Sequence, residues 1–160
     1  MKNEIIKLIR QALFERKPYF TREQEIQIYL AEFIKTKSDF DDVFLEYHIP
    51  SAIINNYPWT DSKKVYIDIV LVKDDLYYPI EIKFKTVSQL VPLNLFGSKY
   101  SITLGQHGAQ NIGCYDFWKD IKRLELFEEK FENVSEGIML FITNDLSYLK
   151  PPRNKKIGYV

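Results

Sequence analysis

Hydrophobic positions along this chain repeat first at helical spacing and then at every second residue. Over 3–17, Ile5, Ile6, Leu8, Ile9, Ala12 and Leu13 recur as one buried side of a helix, and Pro18 marks its end. A second helix is predicted over 21–37, with Thr21 as N-cap and Ile26, Leu30, Phe33 and Ile34 as its apolar stripe. Carried backward by steps of three and four, that stripe lands on Gln27 and Glu23, so a carboxylate sits inward in the first turn. Residues 43–49 then alternate as a strand, with Val43, Leu45 and Tyr47 on one side and Phe44, Glu46 and His48 on the other. Two more strands follow over 65–72 and 79–85. Val65, Ile67, Ile69 and Leu71 form the apolar face of the first, and Ile80, Ile82 and Phe84 that of the second. A turn centred on Asp74-Asp75, a poorer type I′ pair than Asn-Gly, sets Asp68 opposite Glu81 on the other face. Lys83 lies one step along from Glu81.

The rest of the chain is less regular. Residues 86–108 show no clear period and read as a substrate-adjacent flap whose order the sequence leaves open. A long helix is predicted over 109–131, with Gln110, Cys114, Phe117, Ile121 and Leu124 on one face. The run 137–143 reads as a strand buried on both faces. The connection 50–63, with Asn55, Asn56, Pro58 and Trp59, either leans over a groove or covers a sheet edge. The basic tail 151–160 is an arm, a further strand or the beginning of more chain. This order predicts one α/β (α+β) domain over 1–160, with a mixed central sheet flanked by helices, either whole or the N-terminal part of a longer protein.

Composition narrows the function classes. Aromatic residues make up 15% and charged residues 28%, which is a globular and not a disordered profile. Twenty-two basic residues balance 22 acidic ones, so nucleic-acid binding would have to rest on a local patch. One cysteine, Cys114, excludes an intramolecular disulfide and suits a reducing compartment. His48 and His107 are too few and too far apart for a zinc site, and no local pattern supports a Cys/His nucleophile. The amphipathic N-terminus is unlike a signal peptide, and no run is apolar enough to span a bilayer, so a soluble, cytoplasmic protein without a membrane partner is expected.

The chemistry concentrates on the hairpin. Like charges directly opposite on a sheet repel, so Asp68 facing Glu81 calls for a compensating group. A divalent cation is one answer, since Mg²⁺ binds through one or two carboxylates plus water and phosphate, and an ammonium beside it can orient water. The other answer is an ordinary exposed face on which Lys83 neutralises Glu81, and the residues alone leave both open. Glu23 is explained equally by the positive end of its helix, with Glu25 as the fallback acid and Glu32 facing solvent. Glu46 is either at the site or in a cross-strand ion pair. Asp120 and Arg123 have the spacing of an intrahelical ion pair, and His107 is either a phosphate contact or incidental.

Ile67-Asp68, a hairpin, then Glu81-Ile82-Lys83 resembles the core motif of the PD-(D/E)XK nuclease superfamily, the restriction-endonuclease-like fold. Ile67 stands where that motif has proline. Glu23-x-x-Ile26-Gln27-x-x-Leu30 is similar to the helix before the motif. Gly108-Ala109-Gln110-Asn111, Tyr115-Asp116-Phe117 and Asp120…Arg123-Leu124-Glu125 resemble the helix after it in one bacterial subgroup. The resemblance implies an αβββαβ core and a metal-dependent nuclease, an endonuclease in form, that hydrolyses DNA phosphodiester bonds. It implies Mg²⁺ or Mn²⁺ held by Asp68, Glu81, the backbone carbonyl of Ile82 and Glu23. Lys83 would orient the attacking water and Gln110 would position water or phosphate. DNA would meet Lys63, Lys64, Lys85, Lys99 and the tail, and cutting both strands would favour a homodimer. The alternatives are a catalytically silent module of the same fold that binds nucleic acid or a protein partner, and an unrelated α/β protein in which the motif is chance.

Overall fold

Two helices open the chain, α1 (Lys2–Glu15) and α2 (Glu23–Lys37), and their apolar stripes face the same sheet. The computed structural model describes residues 1–15, 20–50, 64–108 and 110–150. The expected roles of Pro18, of the 51–63 connection with Lys63, of Ala109 and of the basic tail therefore lie outside the described residues. Helix α2 begins later than the sequence suggests. Thr21 is not its cap, because its backbone N–H and its hydroxyl both donate to the Glu25 carboxylate, at 2.8 and 2.7 Å. Among the described residues, no helix is long and apolar enough to cross a membrane.

The main sheet has four strands in the order β1 (Asp42–Pro50), β2 (Lys64–Lys73), β3 (Leu76–Lys85) and β6 (Ile138–Thr143). The first three run antiparallel, and β6 runs parallel to β3. The β2–β3 turn has the expected centre, with Asp74 and Asp75 both left-handed at φ 51° and 62°. Asp41 holds it by accepting the Asp74 N–H at 2.8 Å, which helps a pair poorly suited to that conformation. Ile69 pairs with Ile80, in the register read from the sequence.

Alternation along β2 breaks at Asp68. Ile69 and Leu71 pack with α1 and α2, whereas Val65 and Ile67 join Val70 around Phe127 of α3 (Gln110–Lys130). The expected single apolar face is thus divided between two cores. The break coincides with Glu46, at φ 48° in the middle of β1, where the otherwise continuous β1–β2 pairing skips Glu46 and Asp68.

Residues 86–108, whose order the sequence leaves open, form a hairpin of their own, β4 (Leu90–Leu95) and β5 (Ser98–Thr103). Its alternation was masked because apolar residues occupy both faces, of which only Val91 among the strand residues is fully buried. Helix α3 buries Gly113, Asp120, Leu124 and Phe127, so it is turned away from the Cys114–Ile121 face, with the acid Asp120 toward β3. Strand β6 is an edge strand, half-buried beyond Ile138, and not buried on both faces.

Candidate functional site

The β2–β3 hairpin opens at its far end, and the site is built in the fork. The last paired residues are Ile69 and Ile80; beyond them β3 continues on its other edge against β6. Ile82 and Phe84, two residues apart, turn their N–H groups toward the fork. Backbone donors inside a protein need acceptors. Asp68 Oδ2 accepts from Ile82 at 2.6 Å, and Glu23 Oε2, from the first turn of α2, accepts from Phe84 at 2.8 Å. Gln27, one turn along α2, donates to Asp68 Oδ1 at 2.6 Å and to Glu46 Oε1 at 2.9 Å. The left-handed Glu46 thus delivers a third acid to the α2 side, at the modest strain such a backbone carries.

The α3 side supplies counter-charges. Arg123 lies 2.7 Å from Glu81 and 2.6 Å from Asp120, and Lys83 lies 2.7 Å from Asp120. Glu81 and Asp120 are both about 1% exposed. Glu23, Gln27, Glu46, Asp68, Glu81, Lys83 and Arg123 line one open pocket of about 360 Å³. A second hollow, about 310 Å³ and lined by Tyr47, Ile67, Phe127 and Phe131, carries no carboxylate or lysine among its described walls.

Burial dominates the electrostatics. It holds Glu81 well above the ordinary carboxylate range; Arg123 opposes this, and the nearby Asp68 and Asp120 add to it. Burial also raises Asp68 and Glu23, against the N–H groups of Ile82 and Phe84 that favour the ionised forms. For Lys83, burial pulls downward, but the Asp120 hydrogen bond and the charges of Asp120, Glu23 and Glu81 outweigh it. The net effect raises Lys83 above its ordinary value and so favours the ammonium form.

Asp68, Glu81, Lys83 and Glu23 line one pocket, but the β2–β3 pairing ends at Ile69–Ile80, so Asp68 and Glu81 are not the directly opposed cross-strand pair that the sequence predicts. Gln110 does not join them: it donates to Asp145 at 3.1 Å and to Ser147, and so anchors the short 3-10 helix Leu146–Leu149. Its position at the start of α3 is too far along the helix from the turn carrying Asp120 and Arg123. The backbone N–H of Ile82 bonds Asp68. Lys64 lines the pocket, Lys85 lies 3.9 Å from Asp116, and Lys99 is on β5. His107 Nδ1 accepts from the Thr86 N–H at 3.1 Å and so has a structural partner. Asp120 and Arg123 form their intrahelical pair, but the reach of that pair to Lys83 and Glu81 was not read from the sequence. Their place on the stripe with Leu124 and Phe127 was the signal.

Among the described residues, no group of three or more His, Cys, Asp or Glu side chains is arranged to hold a metal ion. Mg²⁺ does not require one, since it binds through one or two carboxylates and keeps several waters. The acids on the pocket wall, Glu23, Glu46, Asp68 and Glu81, are hard oxygen groups of the kind that Mg²⁺ or Mn²⁺ takes. Fold and site define a mixed α+β protein whose opened hairpin carries a buried acid–base cluster. Compared with protein-family models, curated proteins and solved structures, the chain matches none.

Proposed function

We propose that this protein is a metal-dependent nuclease of the restriction-endonuclease-like fold, acting on DNA. The observation that carries the reading is that Glu23, Asp68, Glu81 and Lys83 line the same polar pocket at the open end of a hairpin. The element order, with a helix, three antiparallel strands, a helix and a parallel strand, fits an αβββαβ core with the β4–β5 hairpin inserted and α1 added. Asp68 and Glu81, with the backbone carbonyl of Ile82, would hold Mg²⁺ or Mn²⁺, and Glu23 would add an acidic group beside them. The bound cation supplies Lewis-acid charge at the scissile phosphate. Lys83, held beside Asp120 on the pocket wall, orients the attacking water and offsets the charge that grows on the phosphate oxygens. One P–O bond forms to water and the P–O bond to the leaving sugar oxygen breaks, the water's proton passing through solvent to that oxygen, so no redox partner is needed. Lys64 and Lys119, both on the pocket wall, offer charge to neighbouring phosphates.

One observation favours the silent module as a second reading. Both Glu81 and Lys83 already have protein partners of opposite charge, Arg123 and Asp120. Incubation of supercoiled and single-stranded DNA with Mn²⁺ or Mg²⁺ separates the readings. Cleavage by the wild type, abolished in Asp68→Ala and Lys83→Ala, is expected of the nuclease. DNA retention without cleavage by any of the proteins would leave only the binding module.

A further inference from the structure

Glu81, Arg123, Asp120 and Lys83 alternate in sign along one chain of contacts, at 2.7, 2.6 and 2.7 Å. A carboxylate as buried as Glu81 needs a positive charge nearby, because an uncompensated buried ion costs several kcal/mol. Arg123 provides it here, yet Glu81 Oε1, like the Asp120 Oδ2 that faces Lys83, makes no aligned hydrogen bond among the described residues. The contact matches charge without matching geometry, whereas arginine and carboxylate pair most strongly through parallel, in-plane bonds. Arg123 also lines the pocket, so its guanidinium borders the space where a phosphate would lie.

We propose that Arg123 is a stand-in cation. It neutralises Glu81 while no divalent ion is present, and yields Glu81 when one binds, which frees the guanidinium to take a non-bridging phosphate oxygen. This rests on the nuclease reading of the same pocket. Arg123 and the divalent ion then compete for one carboxylate, so each weakens the other's hold. Asp120, the other anchor of Arg123, keeps the side chain near the pocket when Glu81 is released. Arginine suits both tasks, since its planar fork fits carboxylate and phosphate alike.

The test is calorimetric titration of Mg²⁺ and Mn²⁺, with thermal melting, on the wild type, Arg123→Gln, Arg123→Lys and Asp68→Ala. Arg123→Gln should melt lower without cation and bind it more tightly, by about tenfold, the ordinary scale of coupling between linked sites. Arg123→Lys keeps the charge and should fall between the two; if the glutamine variant does not fold, it carries the comparison alone. Asp68→Ala should bind weakly or not at all. Equal or weaker cation binding by both Arg123 variants would overturn the stand-in role and leave the nuclease reading untouched. Absence of binding by every protein, the Arg123 variants included, would sink both and make Glu81–Arg123 a permanent structural pair.

Discussion

Replacing Asp120 with asparagine removes one negative charge from the cluster while keeping its shape. Asp120 is about 1% exposed and faces Lys83 at 2.7 Å and Arg123 at 2.6 Å. Without it, Lys83 and Arg123 lose the carboxylate between them, while Glu81, and for Lys83 also Glu23, stay nearby. Removing one partner of a buried ion pair costs about 3–5 kcal/mol, chiefly because the other charge stays buried. The side chains of Lys83 and Arg123 keep 20% and 14% exposure, so both can turn partly toward water. That places the expected loss at the lower end, about 3 kcal/mol, which in a domain of this size lowers Tm by about 6–12 °C. Urea denaturation followed by tyrosine and tryptophan fluorescence measures it. A cycle with Lys83→Met and the double variant should give a coupling of about 2 kcal/mol. The exposed Lys122–Glu125 pair is the control, and its removal should not move the midpoint measurably. A loss below about 1 kcal/mol, or additive effects in the cycle, would refute the view that α3 closes a buried charge network over β3.

Two further outcomes follow from the same geometry. Burial holds Glu81 well above its ordinary value of 4.5, and Asp68 and Glu23 above their ordinary 3.8 and 4.5. Such acids hold protons more tightly folded than unfolded, so their contribution to stability falls as pH rises from those ordinary values through the raised folded ones. Glu81→Gln removes the largest of these shifts, so its urea midpoint should gain on the wild type as pH rises; a gap that shrinks instead would contradict the assignment. At the tip of the β4–β5 hairpin, Phe96 is fully exposed and left-handed at φ 52°, followed by Gly97 at φ 85°. Phe96→Asn should therefore stabilise the protein by about 1 kcal/mol in thermal melts, and a lower Tm would mean that the ring packs against something.

The elements that the sequence disclosed best were those with one clean period. The stripe of α2 correctly brought Glu23 and Gln27 inward, and the register of β2 and β3 follows the turn at Asp74-Asp75. Where two forces competed, periodicity misled. Helix α3 has a plausible apolar face through Cys114 and Ile121, but it buries Asp120, because that acid neutralises Lys83 across the gap to β3. No single-helix pattern contains that pairing. The break at Asp68 was equally hidden, since Val65, Ile67, Ile69 and Leu71 alternate without fault. Only the left-handed Glu46 on the neighbouring strand marks where the two cores divide. The β4–β5 hairpin escaped notice for the opposite reason, an excess of exposed apolar residues with no preferred side.

The acids of the fork differ in what the fold asks of them. Asp68 and Glu23 have sufficient structural reasons to be where they are, because each satisfies a β3 N–H that the parted strands leave without a sheet partner. A carboxylate has about four acceptor positions, so that duty still leaves room for a cation. Glu81 is different. Among the described residues no backbone N–H donates to it, and its burial disfavours the ionised form despite Arg123. A buried ion pair adds little stability over a well-packed apolar pair of similar volume. Glu81 and Lys83 find partners only in the Asp120–Arg123 pair of α3, and their alternate positions on β3 turn both toward the same pocket. The nuclease reading depends on them more than on Asp68. A Glu81→Gln protein that gained stability and still cut DNA would separate that cost from any catalytic purpose.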